Sequence, residues 1–107
     1  MKERKTMRII VIFNLKQGVS AADYENWAKT ADIPGVNKLG SVDGFTVHKA
    51  TGLFGSDEAS PYQYIEILDI KDMDGFVADI STEQFQAMAA PFQKFADNPQ
   101  FILTEDL

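Results

Sequence analysis

The sequence contains no cysteine and a single histidine, His48. Without a thiol, disulfides, thiolate nucleophiles and zinc–thiolate centres are excluded. With one imidazole, a multi-histidine metal site within one chain is excluded too. The carboxylates show no EF-hand spacing for a hard cation. Basic residues are few: 10 Lys and Arg stand against 16 Asp and Glu, for a net charge of -6. A nucleic-acid-binding surface needs a basic stripe, and the only cluster is "KERK" at the start. No apolar run reaches the roughly 20 residues of a membrane span. The apolar "MRIIVIFNL" that follows the basic cluster is too short for a signal peptide, holds Asn14 and lacks a small-residue cleavage pattern. A cytoplasmic protein with no nucleic-acid or membrane partner and no metal is the expectation.

What is present suits one domain. The 107 residues are 45% apolar, enough for a modest core. Residues 1–6 are expected to be a flexible lead-in, with a single domain over 7–107. Arg8 to Leu15 is a continuous β-branched and aromatic run, which predicts a central strand buried on both faces. Ser20 and Asp23 fit a capping box. Tyr24, Trp27, Ala28 and Ala31 then mark one helical face, which "DIPGVN" breaks. "DGFTVHKAT" and "YQYIEILDI" predict two strands around a loop rich in Gly, Ser and Pro. A helical stretch begins at Asp72, with Met73, Phe76, Val77 and Ile80 on one face. Ser81 and Gln84 offer a second cap for the stripe Phe85, Met88, Ala89, Phe92 and Phe95, which Pro91 should kink or restart. "QFILTEDL" closes as a strand. The order β-α-β-β-α-β predicts an α+β, ferredoxin-like fold: a four-stranded antiparallel sheet with helices on one face. The other face is left to solvent or to a partner.

Alternation suggests a register for the middle hairpin. Setting apolar opposite apolar pairs Phe45 with Ile67 and Val47 with Ile65. His48 then lies across from Tyr64, and Thr46 across from Glu66. This places His48, Thr46, Tyr62, Tyr64 and Glu66 together on the face away from the helices. A face-to-face homodimer would bury that face and enclose a pocket. There a carboxylate would raise the imidazole pKa and burial would lower it, so the ring could serve as acid or base. The plainer readings are a structural strand histidine, strand-forming tyrosines and a solvated Glu66. Trp27 reads equally as core, and Asn14 as a turn residue.

Four stretches carry a resemblance: "MRIIVIFNLKQGVSAADYENWA", "SVDGFTVHKATGLFG", "PYQYIEILDI" and "FADNPQFILTEDL". Together they resemble the HapK/RedY-like family of the dimeric α/β-barrel superfamily, over nearly all of Met7 to Leu107. The resemblance implies a ferredoxin-like protomer whose sheet packs on a second copy. It also implies a link to prodiginine-type (pyrrole) secondary metabolism, through cofactor-independent condensation, dehydration or cyclisation.

Three functions follow from these readings. The first is a small dimeric enzyme acting on an aromatic or pyrrolic metabolite. In it His48 is the general acid/base, Glu66 orients it, Tyr64 donates to substrate oxygen, and Tyr62 and Thr46 line the pocket. The second is a cofactor-free monooxygenase of aromatic substrates, in which Trp27 and Asn14 matter more. The third is a non-catalytic carrier of a reactive intermediate, tolerant of His48→Ala.

Overall fold

A computed structural model describes residues 7–107. The expected lead-in, residues 1–6, lies outside the described residues. Nine-residue β1 (Met7–Leu15) leads into α1 (Ala21–Trp27), a π-helical turn (Ala28–Asp32) and α2 (Ile33–Asn37). The hairpin strands β2 (Val42–Lys49) and β3 (Tyr64–Ile70) follow, then α3 (Met73–Ile80), α4 (Glu83–Phe95) and β4 (Ala96–Glu105). The sheet runs β2-β3-β1-β4 with every pair antiparallel. This is the expected ferredoxin-like order.

Side chains alternate along β1, so Ile9, Val11 and Phe13 are buried while Ile10 and Ile12 are only half-buried. The expectation of a strand buried on both faces therefore fails within one chain: helices cover one side only. On that side Phe13 is nearly sealed. Its ring centre lies 5.5 Å from Tyr24, 5.6 Å from Tyr64 and 5.1 Å from Phe92. Such ring pairs add to the apolar area they bury, and they tie β1 and β3 to α1 and α4.

The caps are partly as expected. Ser20 accepts from the Asp23 amide and starts α1. Thr82, not Ser81, caps α4 by accepting from the Phe85 amide at 3.1 Å. Pro91 lies inside α4, which continues to Phe95. Val77 is exposed rather than packed. The last strand begins four residues earlier than "QFILTEDL", at Ala96, because the chain bulges: Ile12 pairs with Gln100, yet Asn14 pairs with Asp97. Asn98, at φ 47, takes the left-handed turn within this bulge, a conformation asparagine tolerates.

The hairpin register corrects the sequence-based one. Phe45 pairs with Leu68, Thr46 with Ile67, Val47 with Glu66, His48 with Ile65 and Lys49 with Tyr64. The shift is one residue, which carries every β3 side chain to the opposite face relative to β2. Tyr64 and Glu66 are thus buried under the helices, while Thr46 and His48 are exposed on the open face. Among the described residues, no helix is long and apolar enough to cross a membrane.

Candidate active site

Between the sheet and the helices lies a cavity of about 250 Å³. Its walls are largely aromatic and aliphatic, including Phe45, Phe76, Phe85, Phe92 and Phe101. Two carboxyl side chains, Asp32 and Glu66, line it as well. Both are nearly removed from solvent, at 6% and 4% exposure.

Each carboxyl is placed by a local backbone decision. Glu66 is inward by parity, two residues from Tyr64 and two from Leu68 on the covered face of β3. Asp32 closes the π-helical turn, in which the Ile33 amide donates to the Ala28 carbonyl five residues back. Pro34 follows directly. Its ring crowds the turn behind it and has no N–H to offer, and a wider turn relieves both conflicts. The buried stripe then runs Tyr24, Ala28, Asp32, Val36. The expected helix break at "DIPGVN" is therefore a widened turn that carries Asp32 inward.

The electrostatics follow from burial. Desolvation pushes the Asp32 carboxyl up to about 7, because its charged form is deprived of water. Burial is the whole cause of this rise. Desolvation also pushes Glu66 up, and the neighbouring Asp32 charge adds to it, to about 8. The Tyr24 hydroxyl donates to Glu66 Oε2 at 3.3 Å and opposes the rise only in part. Burial first, then the Glu66 charge, keeps the Tyr24 phenol itself protonated. Near neutral pH the two carboxyls thus hold about one proton between them, one group as acceptor and the other as donor.

The residues singled out from sequence are dispersed. His48 is exposed, with Nε2 lying 2.9 Å from Thr46 Oγ1, on the face opposite Glu66. The expected His48–Glu66–Tyr64 cluster is therefore not formed, because the one-residue register shift separates its members. Tyr64 donates to Glu25 Oε2 at 2.6 Å, and Lys49 pairs with the same oxygen at 3.1 Å. These two contacts, the Tyr64 bond first, hold the Glu25 carboxyl below its ordinary value. Tyr62 precedes β3 and lines a shallow groove beside Lys49 and Tyr64. Asn14 is a structural bracket: its side chain donates to the Pro61 carbonyl at 3.1 Å and accepts from the Gln63 amide at 2.9 Å. Trp27 packs between α1 and α4, 5.8 Å from Phe95 and 6.4 Å from Phe92. Of these residues, only Glu66 reaches the cavity.

Asp32 and Tyr24 complete the site, and sequence reasoning gave neither a chemical role. Tyr24 was visible as a core position. Asp32 carried a faint signal: it stands four residues after Ala28 and eight after Tyr24, a carboxylate on an apolar stripe. Among the described residues no cluster of three or more potential metal ligands occurs.

Comparison with known proteins gives a consistent family. No curated protein matches the chain. Among solved structures, HapK from Hahella chejuensis is 30% identical, with 94% of this chain and 92% of that one aligned at a TM-score of 0.76. A dimeric ferredoxin-like protein of unknown function from Thermobifida fusca is 16% identical, covers 97% and 93%, and has a TM-score of 0.72. A dabb family protein with a ferredoxin-like fold from Mesorhizobium loti is 15% identical, covers 97% and 99%, and has a TM-score of 0.70. The last two share the fold alone. Residues 7–107 match the profile described as REDY-like protein HapK, and the chain belongs to that family.

Proposed function

We propose that this protein is a cytoplasmic, homodimeric, cofactor-independent acid/base catalyst of secondary metabolism. It acts on small aromatic or pyrrolic carbonyl compounds, with Asp32 and Glu66 as the proton-transfer pair. The observation that carries this reading is two buried carboxyls lining an aromatic cavity, one from the helix layer and one from the sheet, poised to hold about one proton near neutrality. Family membership supports the pathway class, and the flat ring-lined walls suit a conjugated substrate.

The chemistry is a condensation with loss of water. Protonated Glu66 gives its proton to an aldehyde oxygen as a pyrrole ring carbon forms the new C–C bond. Ionised Asp32 removes the proton from that ring carbon. Asp32 then returns a proton to the hydroxyl, which leaves as water, while Glu66 takes the pyrrole N–H proton. The product is a conjugated dipyrromethene, and both carboxyls end as they began.

The test uses formylpyrrole with an alkylpyrrole, followed by the absorbance of the conjugated product. The protein should accelerate the reaction over buffer, and Asp32→Asn or Glu66→Gln should each lower the rate about a hundredfold or more. The rate should trace a narrow bell with limbs near the two carboxyl values, about 7 and about 8. A rate equal to buffer, with the substrates still bound, would favour the carrier reading instead.

His48 and Thr46 stand outside this machinery. His48→Ala should keep the rate within about twofold, since surface side chains away from a site rarely matter more. A hundredfold loss on His48→Ala would return the chemistry to the open face of the sheet.

A further inference from the structure

The cavity does not end at the carboxyls' chamber. Its outer side runs into an open groove of about 600 Å³ along α4, and five of the groove's seven lining residues also line the cavity. The shared residues are Ile80, Phe85, Ala89, Gln93 and Phe101; the groove adds Gln86 and Ala90. Phe101 stands at this junction on β4, 60% exposed and 6.3 Å from Phe92. A ring so exposed, with a further apolar surface beside it, is a wall without its second side.

Size and charge restrict what fits. At about 250 Å³ the inner chamber falls just below the roughly 300 Å³ where ordinary ligand pockets begin, so a ligand longer than one fused ring system must project outward. Among the described residues, no Lys, Arg or His lines the chamber or the groove, and no charged side chain lines the groove. An anionic ligand would meet two buried carboxyls in the chamber and, among the described residues, no cation along the way. A donor N–H beside them meets carboxyl oxygens as acceptors. Among the described residues, the groove's polar handles are the side-chain amides of Gln86 and Gln93.

We infer that the groove along α4 is a second subsite. It holds the distal part of an elongated, flat, uncharged or cationic ligand whose N–H end lies between Asp32 and Glu66. This rests on the cavity being the ligand site of the proposed function, and the test separates the two.

Three probes are titrated calorimetrically into the full chain: indole, phenylindole and an indole carboxylate. Indole measures the chamber alone. Phenylindole should bind about tenfold tighter, from one more ring partly buried on apolar surface. The carboxylate should bind about tenfold weaker than indole or not at all. Ala90→Trp and Gln86→Trp each fill the groove at an exposed position and leave the chamber lining intact. Either should abolish the phenylindole advantage while indole binds as before. Equal affinity for indole and phenylindole, or an advantage that survives both substitutions, overturns the subsite and leaves the chamber standing. A carboxylate that binds as well as indole overturns the charge rule. Indole that fails to bind the unmodified protein removes the chamber as ligand site, and the groove with it.

Discussion

At pH 8, Asp32→Asn and Glu66→Gln should each make the protein more stable, by up to roughly 4 kcal/mol, and that gain should vanish toward pH 4. The direction follows from linkage. Both carboxyls are raised in the folded state, from 3.8 to about 7 for Asp32 and from 4.5 to about 8 for Glu66. The folded state therefore holds its protons longer than the unfolded chain. Stability from these groups is fully present below the unfolded values and is lost as pH climbs through the folded ones. An amide of the same shape is never charged, so it escapes the loss. Gln at position 66 can still accept from Tyr24, which now bonds Glu66 Oε2. The two gains will not add, because part of the Glu66 shift comes from the Asp32 charge. Glu25 works the other way, since Tyr64 and Lys49 hold it low, but it lies at the surface where solvent screens the effect. Thermal or denaturant unfolding across pH 4 to 8 reads the outcome. A wild-type protein as stable at pH 8 as at pH 5, or amide variants that lose stability at pH 8, would show that the carboxyls ionise at no cost. A site that destabilises its own fold at working pH is what a functional pair, rather than a packing accident, predicts.

The architecture was legible because it depends on counts that sequence preserves: strand-forming runs, one capping box, an aromatic stripe and six elements in order. The site was not, for two physical reasons. First, β3 is apolar at both parities, with Ile65 and Ile67 on one face and Leu68 and Ile70 on the other. Alternation then cannot say which face is covered, and the long 50–63 connection does not fix the register as a tight turn would. Setting apolar opposite apolar kept Glu66 out of the core, whereas the protein buries it and accepts the cost. Second, a 3.6-residue period assumes every turn is alike. The π-helical turn at Ala28–Asp32 inserts one residue, so Asp32 and Val36 are buried after it, while Ala31, the next position on the expected stripe, is only half-buried. Pro34 marked that irregularity but read as a stop. Both errors moved a carboxylate to the wrong side of the core.

Ile67→Asp should convert a dimer into folded monomers, raising the dimer dissociation constant at least about a thousandfold. The open face of the sheet carries Ile10, Ile12, Ile65, Ile67 and Ile102 in adjacent registers across three strands. Arg8 and Asp69, 2.7 Å apart, and the Thr46–His48 pair border this apolar centre. A central isoleucine cluster with a polar rim is how a protein interface is built, and a sheet face of this kind suits an isologous two-fold contact. Two-fold symmetry introduces any substitution twice, so two carboxylates would enter the contact at once. Each must be desolvated while the bordering Arg8 is already engaged by Asp69, and the penalties compound. The fold itself should survive, because Ile67 points away from Phe13, Tyr24 and the rest of the helix-side core. Light scattering after size exclusion gives the mass directly. If Ile67→Asp stays dimeric while Leu103→Asp, on exposed β4, dissociates, the contact lies at the sheet edge rather than on its face. The single imidazole adds an internal witness. His48 borders the isoleucine face, so its NMR signals should differ between the dimer and the Ile67→Asp monomer. Identical His48 signals in a dimer and a proven monomer would place the partner elsewhere and leave the isoleucine face open to another ligand.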